Sequence, residues 1–193
     1  MSSIVAPDVV ETPLEQRFLD RLREVTGEVD GVMERHGLRC FLLLERLATR
    51  RGIEIDREIA LCAALVHDIG IYPSASHGGV YTDESGELAA ALFAEAGAAA
   101  DRAGICADAC AFHHALREQW ARGAEVELLR RADLIEISGG RIRNGLPREE
   151  IHEVFTSVPR DGFYAGIGAL LARALRERPL TVPRIFRLSR GVD

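Results

Sequence analysis

Ile59-Ala60-Leu61-Cys62-Ala63-Ala64-Leu65-Val66 is followed directly by His67-Asp68-Ile69-Gly70. Eight consecutive apolar side chains predict a helix that is buried all round, and Gly70 suits the end of a helix. An unpaired carboxylate in such surroundings would cost several kcal/mol unless it were protonated, paired or bound to a metal. Since neighbouring side chains on a helix point roughly 100° apart, His67 and Asp68 could hold one ion from the same side.

Two other predicted helices carry a polar group on an apolar face. His36 lies in a predicted helix over residues 29–50, on the face formed by Val29, Val32, Met33, Cys40, Leu43, Leu44 and Leu47. Asp133 lies in a predicted helix over residues 125–138, beside Val126, Leu129 and Ile137. A single such His is usually a hydrogen-bonded core residue, and a single such Asp often caps a helix or pairs with Arg. Three of these features on three helices favour one shared ion.

These residues resemble the HD superfamily of metal-dependent hydrolases. The family pattern is a His, a His-Asp doublet and a distant Asp, which here are His36, His67-Asp68 and Asp133. The residues next to these positions also resemble the family, in His36-Gly37-Leu38-Arg39, His67-Asp68-Ile69-Gly70 and Arg131-Ala132-Asp133. The resemblance covers about residues 33–137 and implies a helical bundle of the HD type, with these four side chains as metal ligands.

The ligand set and two departures from the family narrow the expected chemistry. Two imidazoles and two carboxylates suit one divalent ion of Fe, Mn, Co, Ni or Zn, and such an ion activates water for hydrolysis. Binuclear relatives have a His where this chain has Asp83, so a second metal ion is doubtful. Nucleotide-cleaving relatives have an acid where this chain has Ile71, which weakens a 5′-nucleotidase assignment.

The candidate acids and bases beside the metal are His113, Asp83 and Glu84. In a predicted helix over residues 102–121, helical geometry directs His113 towards the core and His114 towards solvent. Asp83 and Glu84 open a predicted helix over residues 84–97, where acids also suit the positive end of the helix dipole.

The candidate substrate contacts are Tyr72, His77 and Tyr81, in a loop over residues 71–82 that leaves directly from the doublet. This loop is either a substrate lid or a surface connection. Arg39 follows His36 by one turn and either binds a phosphate or stays solvated, because its own helix offers no acid three or four positions away.

Helical periodicity dominates the chain and predicts an all-α fold. Further helices are predicted over residues 14–25, 56–69, 147–157 and 161–177. The 193 residues are treated as a single domain, with a core over about 29–138 and C-terminal helices and an extended tail over 147–193. In that tail, Ile185, Phe186 and Leu188 are expected to pack back onto the body or a partner. The four cysteines fall in helical patterns and are read as reduced core residues.

Composition predicts a cytoplasmic protein without a membrane or nucleic-acid partner. Residues 1–13 lack the pattern of a signal peptide, and no apolar run reaches the ~20 residues of a membrane helix. The net charge is −6, and all 24 cationic residues are Arg. Residues 139–193 hold 10 Arg against 6 acids, whereas residues 1–138 hold 14 against 24. The basic segment is interpreted as a solvated face or an oligomer contact, and a homo-oligomer remains open.

Three functions are compatible with these features. The favoured one is a metal-dependent hydrolase of a small, phosphorylated metabolite. The second is a hydratase like the cyanamide-hydratase-like HD proteins, or an iron-dependent oxygenase on the same scaffold. The third is a non-catalytic HD protein that binds a ligand.

Overall fold

The computed structural model describes residues 3–177, 179 and 181–186. These residues form an all-α fold, with no β-strand among them. The helices are α1 Pro13–Thr26, α2 Val32–Arg51, α3 Arg57–Val66, α4 Tyr81–Glu95, α5 Ala100–Phe112, α6 Ala124–Ile137, α7 Arg148–Ser157, α8 Phe163–Glu177 and α9 Val182–Ile185. Short 3-10 turns cover Ala6–Asp8, Ile69–Ile71, Pro73–Ala75 and Trp120–Arg122.

Helix α3 is the centre of the bundle, because it packs against α1, α2, α4, α5 and α6. Each residue from Ile59 to Val66 is buried, which confirms that this helix is apolar all round. Its N-terminus is capped by the Asp56 carboxylate, which accepts a hydrogen bond from the Ile59 N–H at 3.2 Å. Helix α3 therefore delivers His67 and Asp68 into the interior at the point where it ends.

Local sequence signals define the neighbouring helices. At the start of α1, Thr12 Oγ1 accepts from Glu15 N at 3.1 Å and Glu15 Oε2 accepts from Thr12 N at 3.1 Å, which is a capping box. Helices α1 and α2 end at Gly27 and Gly52, whose φ angles of 70° and 62° favour glycine. The packing of α2 on α3 and α6 brings together the three helices that the sequence singled out.

Several predicted helix bounds differ from the observed ones. Helix α3 ends at Val66 rather than at residue 69, and α4 begins at Tyr81, inside the loop predicted over residues 71–82. Helix α2 begins at Val32 rather than at residue 29, and Val29 is 73% exposed instead of facing the core. The predicted helix over 102–121 ends at Phe112, because the chain turns there and Ala115 N donates to Phe112 O at 2.8 Å. Residues 182–185 form the short helix α9 rather than an extended tail.

The remaining expectations on the fold have mixed outcomes. Ile185 packs against Ile71, Val80 and Tyr81 as expected, whereas Phe186 is 45% exposed and Leu188 lies outside the described residues. The four cysteines are free and buried. None of the described helices combines the length and apolar character needed to cross a membrane.

Candidate metal centre

Three helices bring the predicted metal ligands close together. His36 comes from the second turn of α2, His67 and Asp68 follow α3, and Asp133 lies in α6. His36 Nε2 is 3.0 Å from His67 Nε2, 3.4 Å from Asp68 Oδ2 and 3.5 Å from Asp133 Oδ1. Helix α5 adds His113 and His114 where it ends.

The distances from the His36 and His67 nitrogens to each carboxylate are close to those between ligands of one cation, but no group of donor atoms within 4.8 Å of one another includes both Asp68 and Asp133 among the described residues. His67 Nε2 lies 3.6 Å from Asp68 Oδ2 and 3.9 Å from Asp133 Oδ1. Because Zn–N and Zn–O bonds are ~2.0–2.2 Å long, two ligands of one ion are separated by roughly 3 to 3.5 Å. Both oxygens of Asp133 are buried, yet neither has a hydrogen bond within the part of the chain that the structure describes. A bound cation would satisfy these oxygens.

Contacts at Nδ1 orient the imidazole rings of His36, His67 and His113. His67 Nδ1 is 2.8 Å from the Ala64 carbonyl, and His113 Nδ1 is 2.6 Å from the Cys110 carbonyl. His36 Nδ1 faces Glu136 Oε2 at 3.2 Å. Each Nδ1 that donates to such an oxygen leaves its Nε2 as a lone-pair donor towards the centre, which is the usual arrangement around metal-binding histidines.

Burial shifts the pKa values of His67 and Asp133 in opposite directions. It lowers the pKa of His67 to about 3, so this imidazole is neutral near pH 7. It also raises the pKa of Asp133 to about 7, although His113 and His36 act against that rise. The neutral imidazole is ready to bind a cation, whereas Asp133 has to lose its proton first.

Glu136 is a part of the centre that sequence reasoning missed. Burial alone would raise its pKa, but the charges of His36, Arg39 and Arg160 lower the pKa of Glu136 to about 2. Its Oε1 accepts from Arg39 Nε at 2.7 Å and from Arg160 Nε at 3.2 Å. The available signal was its position one turn after Asp133 on a largely apolar helix.

The partner of Arg39 corrects one of the alternatives considered for that residue. Arg39 is not solvated, because it is 1% exposed and pairs with Glu136. Its Nη2 is buried without a hydrogen bond among the described residues. Arg39 also donates from Nη1 to the Pro159 carbonyl at 2.7 Å. Arg39 is therefore linked to the centre through Glu136, which lies beside His36.

His114 is not directed towards solvent. Its side chain is 19% exposed, and Nδ1 lies 3.4 Å from Asp133 Oδ2. His113 is fully buried and places Nε2 3.1 Å from Asp68 Oδ1. Both carboxylates thus turn one oxygen towards His36 and the other towards an imidazole of this pair. The early end of α5 is the cause, because a helix continuing to residue 121 would carry His114 outwards.

The two candidate acids of α4 occupy different surroundings. Glu84 is buried, and its carboxylate accepts from Ser76 Oγ at 2.5 Å and from the backbone N–H groups of His77 and Gly79, both at 2.7 Å. This carboxylate therefore fixes the loop after the doublet. Asp83 is half-buried in the first turn of α4 and is not among the clustered donors.

The three candidate substrate contacts in the loop after the doublet differ in their burial and in their distance from the centre. Tyr81 is buried with its ring 6.2 Å from those of His113 and His114. Tyr72 is half-buried, and burial raises its pKa to about 12. His77 is exposed. The structure thus brings Tyr81 to the centre and leaves His77 on the surface.

Helices α8 and α9 cover the centre. The Phe163 ring stacks on His36 at 5.0 Å, and Arg173 Nη2 donates to the Ile71 carbonyl at 3.0 Å. Ile185 packs on Tyr81, and the Phe186 ring lies 6.1 Å from that of His114. The centre is consequently enclosed in the described structure.

Comparison with known proteins assigns this arrangement to a family. A family model for the HD domain matches residues 33–137, which span the helices that carry every donor described above. The chain belongs to the HD domain family. Members of this family are generally metal-dependent phosphohydrolases, and HD domains bind divalent metals. No curated protein matches the chain.

Proposed function

We propose that this HD protein is a metal-dependent hydrolase of a small, phosphorylated metabolite, with His36, His67, Asp68 and Asp133 as the metal ligands. The observation that carries the proposal is that the buried Nε2 atoms of His36 and His67 lie 3.0 Å apart and 3.4–3.9 Å from carboxylate oxygens of Asp68 and Asp133. In addition, the Asp133 oxygens have no hydrogen bond among the described residues. A divalent ion held there supplies an activated water and polarises the bond to be broken.

The chain's own groups have separate roles in this proposal. His113 is the candidate acid or base, because its Nε2 faces the centre and its Nδ1 is held by the Cys110 carbonyl. Tyr81 forms part of the wall beside His113, and Phe163 excludes water on the His36 side. Because the donor side chains are buried and α8 and α9 cover them, we infer that the substrate is small.

The test is phosphate release by protein purified without chelator, after its metal content has been measured. Individual phosphomonoesters and phosphodiesters are offered with Mn²⁺, Co²⁺, Ni²⁺, Zn²⁺ or Fe²⁺. We expect at least one substrate to turn over, and Asp68→Asn to abolish the reaction while the protein stays folded. Asp20→Asn, the same change on an exposed residue of α1, should have no effect. Metal-loaded protein that is inert towards the whole panel would contradict the proposal.

A hydratase or an iron-dependent oxygenase is the second candidate, and the environment of Arg39 favours it. Because Glu136 and the Pro159 carbonyl engage Nε and Nη1 of this guanidinium, only Nη2 is left for the phosphate contact suggested by the sequence. Four imidazoles beside two carboxylates also suit iron. Two iron ions per chain with substrate-dependent oxygen consumption, or hydration of cyanamide, would select this candidate. One ion per chain with phosphate release would select the first.

A further inference from the structure

A second concave site lies where α6 ends and α7 and α8 begin. It is an open cavity of about 780 Å³ whose polar lining includes Arg141, Arg143, Arg148, His152, Arg160 and Tyr164. None of the metal-centre donors lines it. The cavity is therefore a separate feature of the fold.

The cavity is strongly basic in a protein whose net charge is −6. Four arginines line it, and no acidic side chain does so within the described structure. In that same part of the chain, no carboxylate lies within 4.0 Å of a side-chain nitrogen of Arg141, Arg143 or Arg148. Arg160 pairs with Glu136, so Arg141, Arg143 and Arg148 carry the uncompensated charge. Such positive groups around a concavity create a potential that attracts anions.

Arg160 is the fixed member of this group. It donates from Nη2 to the Glu136 carbonyl at 2.6 Å and to the Tyr164 hydroxyl at 3.1 Å. Its guanidinium also lies over the Phe155 ring, 4.5 Å from the centroid. Since its position is set before any ligand arrives, less entropy is lost on binding. Arg141, Arg143 and Arg148 are exposed and can close around a ligand.

We propose that this cavity binds a small polyanion that carries two or more linked phosphate groups. Guanidinium groups pair with phosphate oxygens in bidentate fashion, and three arginines without carboxylate partners match several negative charges better than one. A nucleic acid fits less well, because residues 1–138 carry 24 acids against 14 Arg and would repel an extended chain of phosphates. The basic segment thus has a specific ligand rather than only a solvated face.

The experiment is a titration of the full-length protein with inorganic tripolyphosphate, in which isothermal titration calorimetry measures the binding. The test variant is Arg143→Gln with Arg148→Gln. The control is Arg117→Gln with Arg176→Gln, which removes the same charge from exposed positions outside the cavity. We expect the test variant to bind at least tenfold more weakly than the parent and the control to bind within twofold of it. Circular dichroism checks that both variants are folded.

Binding should have the same affinity before and after metal removal, because the cavity contains none of the metal donors. An affinity lost on metal removal would place the polyanion at the metal centre and overturn the proposal. Equal weakening in both double variants, or no binding by the parent at millimolar tripolyphosphate, would also overturn it. So would tighter binding of a single-stranded RNA oligonucleotide that depends on Arg143 and Arg148. None of these outcomes depends on the hydrolase activity.

Discussion

Gly37→Ala tests whether the separation of α2 and α3 sets the geometry of the metal centre. Gly37 follows His36 and faces the end of α3. A Cβ atom at Gly37 would lie 2.6 Å from the Ala64 carbonyl oxygen and 3.0 Å from Leu65 Cα. Both are backbone atoms, so no side chain can rotate away. The helices would have to separate by about 0.4 Å to restore even the closest contact that Cβ atoms show.

That displacement acts on both metal affinity and stability. His36 Nε2 and His67 Nε2 are 3.0 Å apart, and metal–ligand distances tolerate a change of only about 0.2 Å. We therefore expect metal affinity to fall about 10- to 100-fold, as it does when ligand orientation is disturbed. Overpacking costs about 1–3 kcal/mol, against a gain of about 1 kcal/mol for Ala over Gly in a helix.

The matched control is Gly104→Ala in the middle of α5, where a Cβ atom would meet nothing within 4 Å. This control should gain about 1 kcal/mol, so the two variants should differ by about 1–3 kcal/mol in the free energy of unfolding. Urea unfolding followed by circular dichroism measures the stability, and competition with a chromogenic chelator for Co²⁺ measures the affinity. Equal stability of the two variants, with unchanged metal affinity in Gly37→Ala, would refute the reasoning.

Three further predictions concern charge and metal. Glu136→Gln should destabilise the fold by about 3–5 kcal/mol in urea unfolding, because buried Arg39 loses its charged partner. The control Glu153→Gln, at an exposed ion pair, should change stability by less than about 0.5 kcal/mol. Similar losses of stability in the two variants would contradict this prediction. Since burial raises the pKa of Asp133 to about 7, metal affinity should rise about tenfold per pH unit between pH 5 and 7 and level off above, and a flat calorimetric profile would count against it. Chelation of the metal should lower the unfolding free energy by about 2.7 kcal/mol where the free metal had been at 100 times its Kd, a change visible as a lower Tm in calorimetry.

The sequence was most informative where a polar group interrupted an apolar pattern. The apolar stretch before His67 predicted the central helix, and the His36 and Asp133 patterns predicted the two helices that pack around it. The three helices were predicted correctly because burial of an apolar face determines how helices pack. Even so, sequence alone could not supply the 3.0–3.9 Å separations between donor atoms.

The misplaced end of α5 had no local signal. Leu116 and Trp120 continue the apolar period of the helix, yet the chain turns after Phe112 and Leu116 is 62% exposed. A hydrogen bond to the next helix holds the new path, since Gln119 N donates to Glu127 Oε2 of α6 at 2.7 Å. Periodicity cannot register such a contact, and the orientation of His114 was wrong for this reason.

The ion-pair partner of Arg39 could not be predicted from the sequence either. Spacing along one helix identifies ion pairs only within that helix, whereas the partner of Arg39 is Glu136, 97 residues further along the chain. The four arginines of the basic cavity lie between residues 141 and 160, in the basic segment recognised from the sequence. Their convergence required the turn between α6 and α7 to be known.

The cover formed by α8 and α9 has a consequence for the order in which the protein matures. Every donor of the centre precedes this cover in the chain, so a ribosome releases His36 to Asp133 before it releases Phe163 and Ile185. A cation can therefore enter the centre without crossing the cover only before Phe163 and Ile185 have docked. After synthesis, replacement of that cation must wait until the last helices lift away.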